Sequence, residues 1–142
     1  MTELPPDHTF EDIQIGQKKE FTEKIDEARI DDFAKISGDY NPLHMDQEYA
    51  SKTSFKRRVC HGMLIAAFFS KLIGMHIPGK NSVYFSQSLN FQSPSYIGDN
   101  ITIIGEVIDK SQATRIITLK TTAVNQSGKC LIDGIAKVIV SK

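Results

Sequence analysis

The spacing of apolar positions changes near residue 80, from helical periods before it to strand-like runs after it. The stretch QKKEFTEKI (17–25) alternates weakly and predicts a first strand. In DEARIDDFAKIS (26–37), Ile30, Phe33, Ala34 and Ser37 recur at helical spacing. Asp26 supplies the N-cap for that helix and Gly38 its C-terminal stop. Asp46 predicts the cap of a second short helix, DQEYASK. HGMLIAAFFSKLIGMHI (61–77) is apolar around nearly its whole circumference, which predicts a helix inside the protein, ended by PGKN (78–81). Four strand-like runs follow, SVYFSQSLNFQ, NITIIGEVID, ATRIITLKTTAVN and KCLIDGIAKVIV, rich in Val, Ile, Thr and Phe. The breaks between them are short, so the strands pair antiparallel.

One buried helix with an antiparallel sheet leaves few architectures for 142 residues, a length that fits one domain, 1–142. The sheet must curl around the helix to cover it, an α+β fold of the hot-dog type. A plain α+β sandwich is the alternative. A single concave sheet covers a helix incompletely, which predicts a homodimer or a higher homo-oligomer.

Composition narrows the function. Lys plus Arg and Asp plus Glu number 17 each, so no global basic field points to nucleic acid or to an anionic membrane. Cys60 and Cys130 form no CxxC and no metal-ligand spacing, which predicts free thiols in a reducing compartment and no bound metal. The N-terminal stretch MTELPPDHTFEDI lacks the apolar region of a signal peptide and the arginines of a transit peptide. The longest apolar run (62–77) is interrupted by Ser70 and Lys71 and is short for a membrane span. Together these predict a cytoplasmic protein.

The chemistry concentrates in GDYNPLH (38–44), where an acid and a histidine flank a proline. In a continuous helix, the five steps from Asp39 to His44 would turn roughly 500°, leaving the side chains about 140° apart. Pro42 excludes that helix and pushes Asn41 toward extended dihedrals, so a loop can curl both side chains toward one point. Asn41 can hold the curl as an Asx turn. An imidazole there takes or gives a proton near neutrality, and a carboxylate beside it fixes its tautomer or holds a water with it. The other reading of these residues is a polar turn between two helices.

A second feature favours chemistry. His61-Gly62 opens the apolar helix, where unpaired N–H groups meet the positive end of the helix dipole. Without a side chain, Gly62 lets a ligand carbonyl approach its N–H as in an oxyanion hole. The duller role for Gly62 is tight packing, and His61 reads as a structural histidine. Ser70, within the same helix, either bonds back to a carbonyl or points a hydroxyl into a site. Lys71 snorkels, and Met63, Met75, Phe68 and Phe69 read as core, with the lining of an acyl pocket as the alternative for some of them. Ile73 reads as core packing with a pocket floor as the alternative. The KRR run (56–58) reads as a solvated loop, or a contact for phosphate groups.

Taken in order, S-G-D-Y-N-P-L-H, then H-G-M-L, then Q-S-L-N-F-Q-S-P-S-Y-I-G-D (87–99) resemble the MaoC-like hydratases, specifically the (R)-specific enoyl-CoA hydratases, over nearly the whole chain. The resemblance implies a hot-dog homodimer, without cofactor or metal, that reversibly hydrates trans-2-enoyl-CoA to (R)-3-hydroxyacyl-CoA. It implies that Asp39 and His44 bind and activate the water, that the Gly62 N–H polarises the thioester carbonyl, and that Ser70 supports the site. We expect His44 as base, with Asp39 its partner and proton donor. Arg58 stands where members often carry proline after the arginine matched by Arg57, which alters the loop leading to Cys60 and His61. Rival readings are a dehydratase acting on acyl carrier protein, an acyl-CoA thioesterase, and a non-catalytic acyl-CoA binding module.

Overall fold

The computed structural model describes residues 3–142. Strand β1 (Lys18–Lys24) leads into helix α1 (Glu27–Ser37). Asp26 caps α1 by accepting the Arg29 N–H at 2.9 Å, and Gly38 ends it in the left-handed conformation that its sequence position predicts. Two short helices follow, α2 (Pro42–Met45) and α3 (Gln47–Ser51), the second capped by Asp46. Then come the long helix α4 (Gly62–Met75) and strands β2 (Ser82–Gln87), β3 (Asn90–Phe91), β4 (Asn100–Ser111), β5 (Ile116–Val124) and β6 (Cys130–Val140).

The sheet is antiparallel, in the order β1-β4-β5-β6-β2, with β3 also paired to β6. Its long strands alternate, and the buried set, Ile101, Ile103, Val107, Ile117, Leu119, Ala136 and Val138, faces α4. From α4 the residues Leu64, Ile65, Phe69, Leu72 and Ile73 enter the same core. The helix sits so close to β4 that a Cβ at Gly105 would stand 2.7 Å from Leu72. This is the hot-dog arrangement of the α+β class.

Three details depart from the sequence-based expectations. Residues 42–45 are helical, because Pro42 sits at the first helical position, where its missing N–H costs nothing and its fixed φ suits the turn. The first strand-like run divides into β2 and β3, since Ser88 turns away to accept the Ile135 N–H on its Oγ at 2.9 Å and lies over Gly134, where no Cβ would fit. Met63, read as core, lies on the face of α4 that a single concave sheet is expected to leave uncovered within one chain. Met63 is 55 % exposed, and Ala67 and Ser70 are also exposed, because the sheet wraps only part of the circumference.

Candidate active site

Asp39 and His44 reach one place by different routes. Asp39 follows the α1 cap, its N–H held by Ser37 Oγ at 3.1 Å, and its Oδ1 accepts the Asn41 N–H at 3.1 Å. Asn41 in turn caps α2, accepting the Leu43 N–H at 3.0 Å. One turn of α2 then carries His44 back over Asp39, and the gap between His44 Nε2 and Asp39 Oδ2 is 3.8 Å.

The tautomer of His44 follows from its partner. Its Nδ1 lies 2.7 Å from the Val59 carbonyl, which can only accept, so the proton is on Nδ1 and Nε2 presents a lone pair to Asp39. Two acceptors 3.8 Å apart do not bond each other, but one water can donate a hydrogen to each. The backbone carbonyl of Val59, not the carboxylate, therefore fixes the tautomer. That leaves Asp39, with its side chain 48 % exposed, free to face a water.

The segment 58–61 is the seat of the site. Val59 N–H donates to the Leu43 carbonyl at 3.2 Å, and Cys60 N–H to the Ser95 carbonyl at 2.8 Å. Asp99 stabilises the loop carrying Ser95, accepting the Tyr96 N–H at 2.9 Å and the Gln126 side-chain amide at 3.0 Å. Gly98 in that loop has φ +93°, where glycine is favoured. Arg58 is buried. Its Nε donates to the His44 carbonyl at 2.6 Å and its Nη1 to Glu27 at 2.7 Å, so one guanidinium ties α1 to α2. The KRR run thus divides by role: Arg58 is a buried tie, while Lys56 and Arg57 remain exposed, with Arg57 stacked 3.8 Å over the Tyr96 ring. His61 is 2 % exposed. Its Nε2 donates to the Asp39 carbonyl at 3.0 Å, and its ring stacks on His44 with centroids 4.0 Å apart.

His44 and Gly62 line the same pocket of about 320 Å³, within the range of small-molecule sites. Phe55, Ile65, Phe91, Leu131 and Ile132 make its walls apolar. At Gly62 an added Cβ would stand 2.7 Å from two atoms of the Phe91 ring, so only glycine lets that ring pack against the start of α4 at the pocket. Cys60 also lines the pocket, where burial pushes its thiol up to about 11 and leaves it protonated near neutrality.

Ser70 and Ile73 are placed elsewhere. Eight residues of helix carry Ser70 about 12 Å along the axis from Gly62. There it lines a separate groove with Met63, Ala67, Tyr84 and Leu89. Ile73 lies in the core, 1 % exposed, and does not line the pocket with His44. Sequence reasoning missed Val59, Arg58 and His61 as neighbours of the pair. The positions of 58–61 directly before Gly62 were the available signal, but their partners, Glu27, Asp39 and His44, lie far along the chain.

Asp39, His44 and His61 also offer ligand atoms within 4.8 Å of one another, a spacing open to a small cation. His44 Nδ1 and His61 Nε2 are already committed to carbonyls. The same donor set suits proton transfer: an acid and a base lone pair beside a pocket that ends at a helix N-terminus.

An antiparallel sheet packed on one long helix, with a pocket at the start of that helix, defines the hot-dog class. The chain belongs to the MaoC-like domain family, whose family model, described as "MaoC like domain", matches residues 11–128. It is similar to the (R)-specific enoyl-CoA hydratase of Aeromonas caviae, 40 % identical over 126 residues, spanning 89 % of this chain and 94 % of that one. It is 41 % identical over 133 residues to the (R)-specific enoyl-CoA hydratase of Rhodospirillum rubrum, spanning 94 % and 92 %. Among solved structures, the unliganded R-hydratase of Pseudomonas aeruginosa superposes with a TM-score of 0.91 at 36 % identity, covering 94 % of this chain and 86 % of that one. No helix among the described residues is long and apolar enough to cross a membrane.

Proposed function

We propose that the protein is a hydro-lyase that adds water to trans-2-enoyl-CoA to give (R)-3-hydroxyacyl-CoA, and catalyses the reverse dehydration. The observation that carries this reading is the His44 Nε2 lone pair facing the Asp39 carboxylate at 3.8 Å, beside a pocket that also exposes Gly62. A water between the two side chains donates one hydrogen to each. The enoyl thioester lies in the apolar pocket with its carbonyl oxygen at the Gly62 N–H. As the water oxygen bonds C3, His44 Nε2 takes a proton and negative charge gathers on the thioester oxygen, where the helix N-terminus stabilises it. The pair returns a proton to C2 and ends the cycle as it began. General acid–base work of this kind contributes roughly 10²–10⁴-fold. The reaction needs no redox cofactor and no metal.

The exposed Lys56 and Arg57 follow Phe55 on the pocket wall, a placement that suits the phosphates of the CoA carrier. A homodimer accounts for the uncovered surface. β2 pairs only with β6, so its outer edge is free, and it exposes Val83, Tyr84 and Phe85, the last 60 % accessible. This patch adjoins the groove of Met63, Ala67 and Ser70 on α4, and a second copy would bury both. Ser70 supports the site only through that neighbouring surface. The unpaired Cys60 and Cys130 suit a reducing, cytoplasmic setting.

His44→Ala and Asp39→Asn test the reading. Each should remove most crotonyl-CoA hydration, about 10²-fold or more, with circular dichroism unchanged. Near-native turnover in both variants would discard this site.

A further inference from the structure

We propose that His61, neither base nor acid itself, is the positioning residue of the Asp39–His44 pair, holding the main chain of one member and backing the ring of the other. The inference rests on the hydratase reading and deepens it. His61 is in contact with both members. Its Nε2–H donates to the Asp39 carbonyl at 3.0 Å, across 22 positions of sequence. Its ring lies against the His44 imidazole, with centroids 4.0 Å apart and planes 29° apart. Phe33 of α1 meets the His61 ring edge-on at 4.9 Å, so the ring is held from the far side as well.

The remaining nitrogen completes the argument. A carbonyl only accepts, so the His61 proton is on Nε2 and Nδ1 is bare; that Nδ1 is buried and has no hydrogen-bond partner among the described residues. A buried acceptor without a partner is costly, and nothing in the packing alone requires histidine here. What only an imidazole supplies at this position is a flat ring for His44 together with an N–H in that plane for Asp39. Its neutrality matters too. The charged or titratable groups facing it are His44, Asp39 and Arg58, and burial holds the His61 imidazole below its ordinary range. His61 therefore stays uncharged while His44 takes a proton and adds no like charge of its own against that step.

Two substitutions separate the two contacts. His61→Phe keeps a ring behind His44 and removes the donor. His61→Gln keeps an amide N–H within reach of the Asp39 carbonyl and removes the ring. Both are compared with wild type by melting, by crotonyl-CoA hydration, and by ¹⁵N imidazole NMR of His44. We expect His61→Phe to lose about 10²-fold in kcat with KM within about threefold, the signature of a misplaced reacting group. His61→Gln should recover at least about tenfold of that loss. In His61→Gln, which leaves the His44 ring unbacked, the His44 spectrum should change from the single Nδ1–H tautomer to a mixture as the ring loosens from the Val59 carbonyl, whereas His61→Phe should keep the single tautomer. The proposal fails if His61→Phe keeps kcat within about threefold, or if His44 retains one tautomer in His61→Gln. Should His61→Phe not fold, the His61→Gln spectrum decides alone. Should the wild-type chain hydrate nothing, the spectra still test His61 while the hydratase reading falls separately.

Discussion

The Gly62 N–H is assigned the developing charge of the thioester, and the fold permits that one donor to be deleted cleanly. Gly62 is the first residue of α4, so its N–H has no acceptor within the helix. Proline is well suited to that position. The residue before it is suited as well: His61 has φ −57° and ψ 126°, the extended geometry that a residue preceding proline prefers. The obstacle is steric, since any Cβ at 62 meets Phe91 at 2.7 Å. The comparison is therefore made in a Phe91→Ala background, with Gly62→Ala as the control that adds the Cβ but keeps the N–H. Losing an oxyanion donor costs about 2.7–4 kcal/mol, or about 10²–10³ in kcat. Gly62→Pro should fall below Gly62→Ala by that factor, followed as loss of the conjugated-thioester absorbance of crotonyl-CoA. Melting temperatures should stay close, because no helical hydrogen bond is removed. Equal turnover in the alanine and proline variants would refute the assignment of charge to this N–H.

Other outcomes follow from the same geometry. Arg58→Met removes a buried cation that satisfies the His44 carbonyl and Glu27; with Glu27 free to rehydrate, the loss should be about 2–3 kcal/mol, about 7–10 °C in Tm for a chain of this size, measured by calorimetry. Burial holds His61 and His76 below the ordinary histidine range, so between about pH 6.5 and their lowered pKa values the unfolded chain binds protons that the folded one does not. Stability should therefore fall as pH drops from about 7.5 to about 5.5, and His76→Gln should flatten that slope in urea titrations. Phe85→Glu puts a charge on the free edge of β2 and should halve the mass seen by sedimentation, without altering the monomer's circular dichroism.

The elements legible in the sequence are those fixed by local chemistry. Asp26 and Gly38 bound α1 because a cap and a left-handed stop act within one turn. The apolar run 62–75 and the Val- and Ile-rich strands declare themselves by period. Asp39 and His44 were legible as a pair, and Pro42 was read as barring one continuous helix through 39–44 but not as starting α2. What sequence could not show depends on contacts between distant segments. The tautomer of His44 is set by the carbonyl of Val59, 15 residues away, and backbone carbonyls have no sequence signature. Arg58 read as part of a solvated basic run, and only the meeting of α1 with α2 buries it. Helix α4 looked apolar all round because its composition records the total surface to be covered, including the part this chain leaves open at Met63, Ala67 and Ser70.

The His44–Asp39 site is expected to add water to an enoyl thioester on one face. The most direct measurement incubates the protein with trans-2-enoyl-CoA of graded chain length and resolves the product on a chiral column. The conjugated thioester should be consumed with (R)-3-hydroxyacyl-CoA as the product and no release of free CoA thiol. An (S) product, thiol release from saturated acyl-CoA, or binding without loss of conjugation would contradict that expectation.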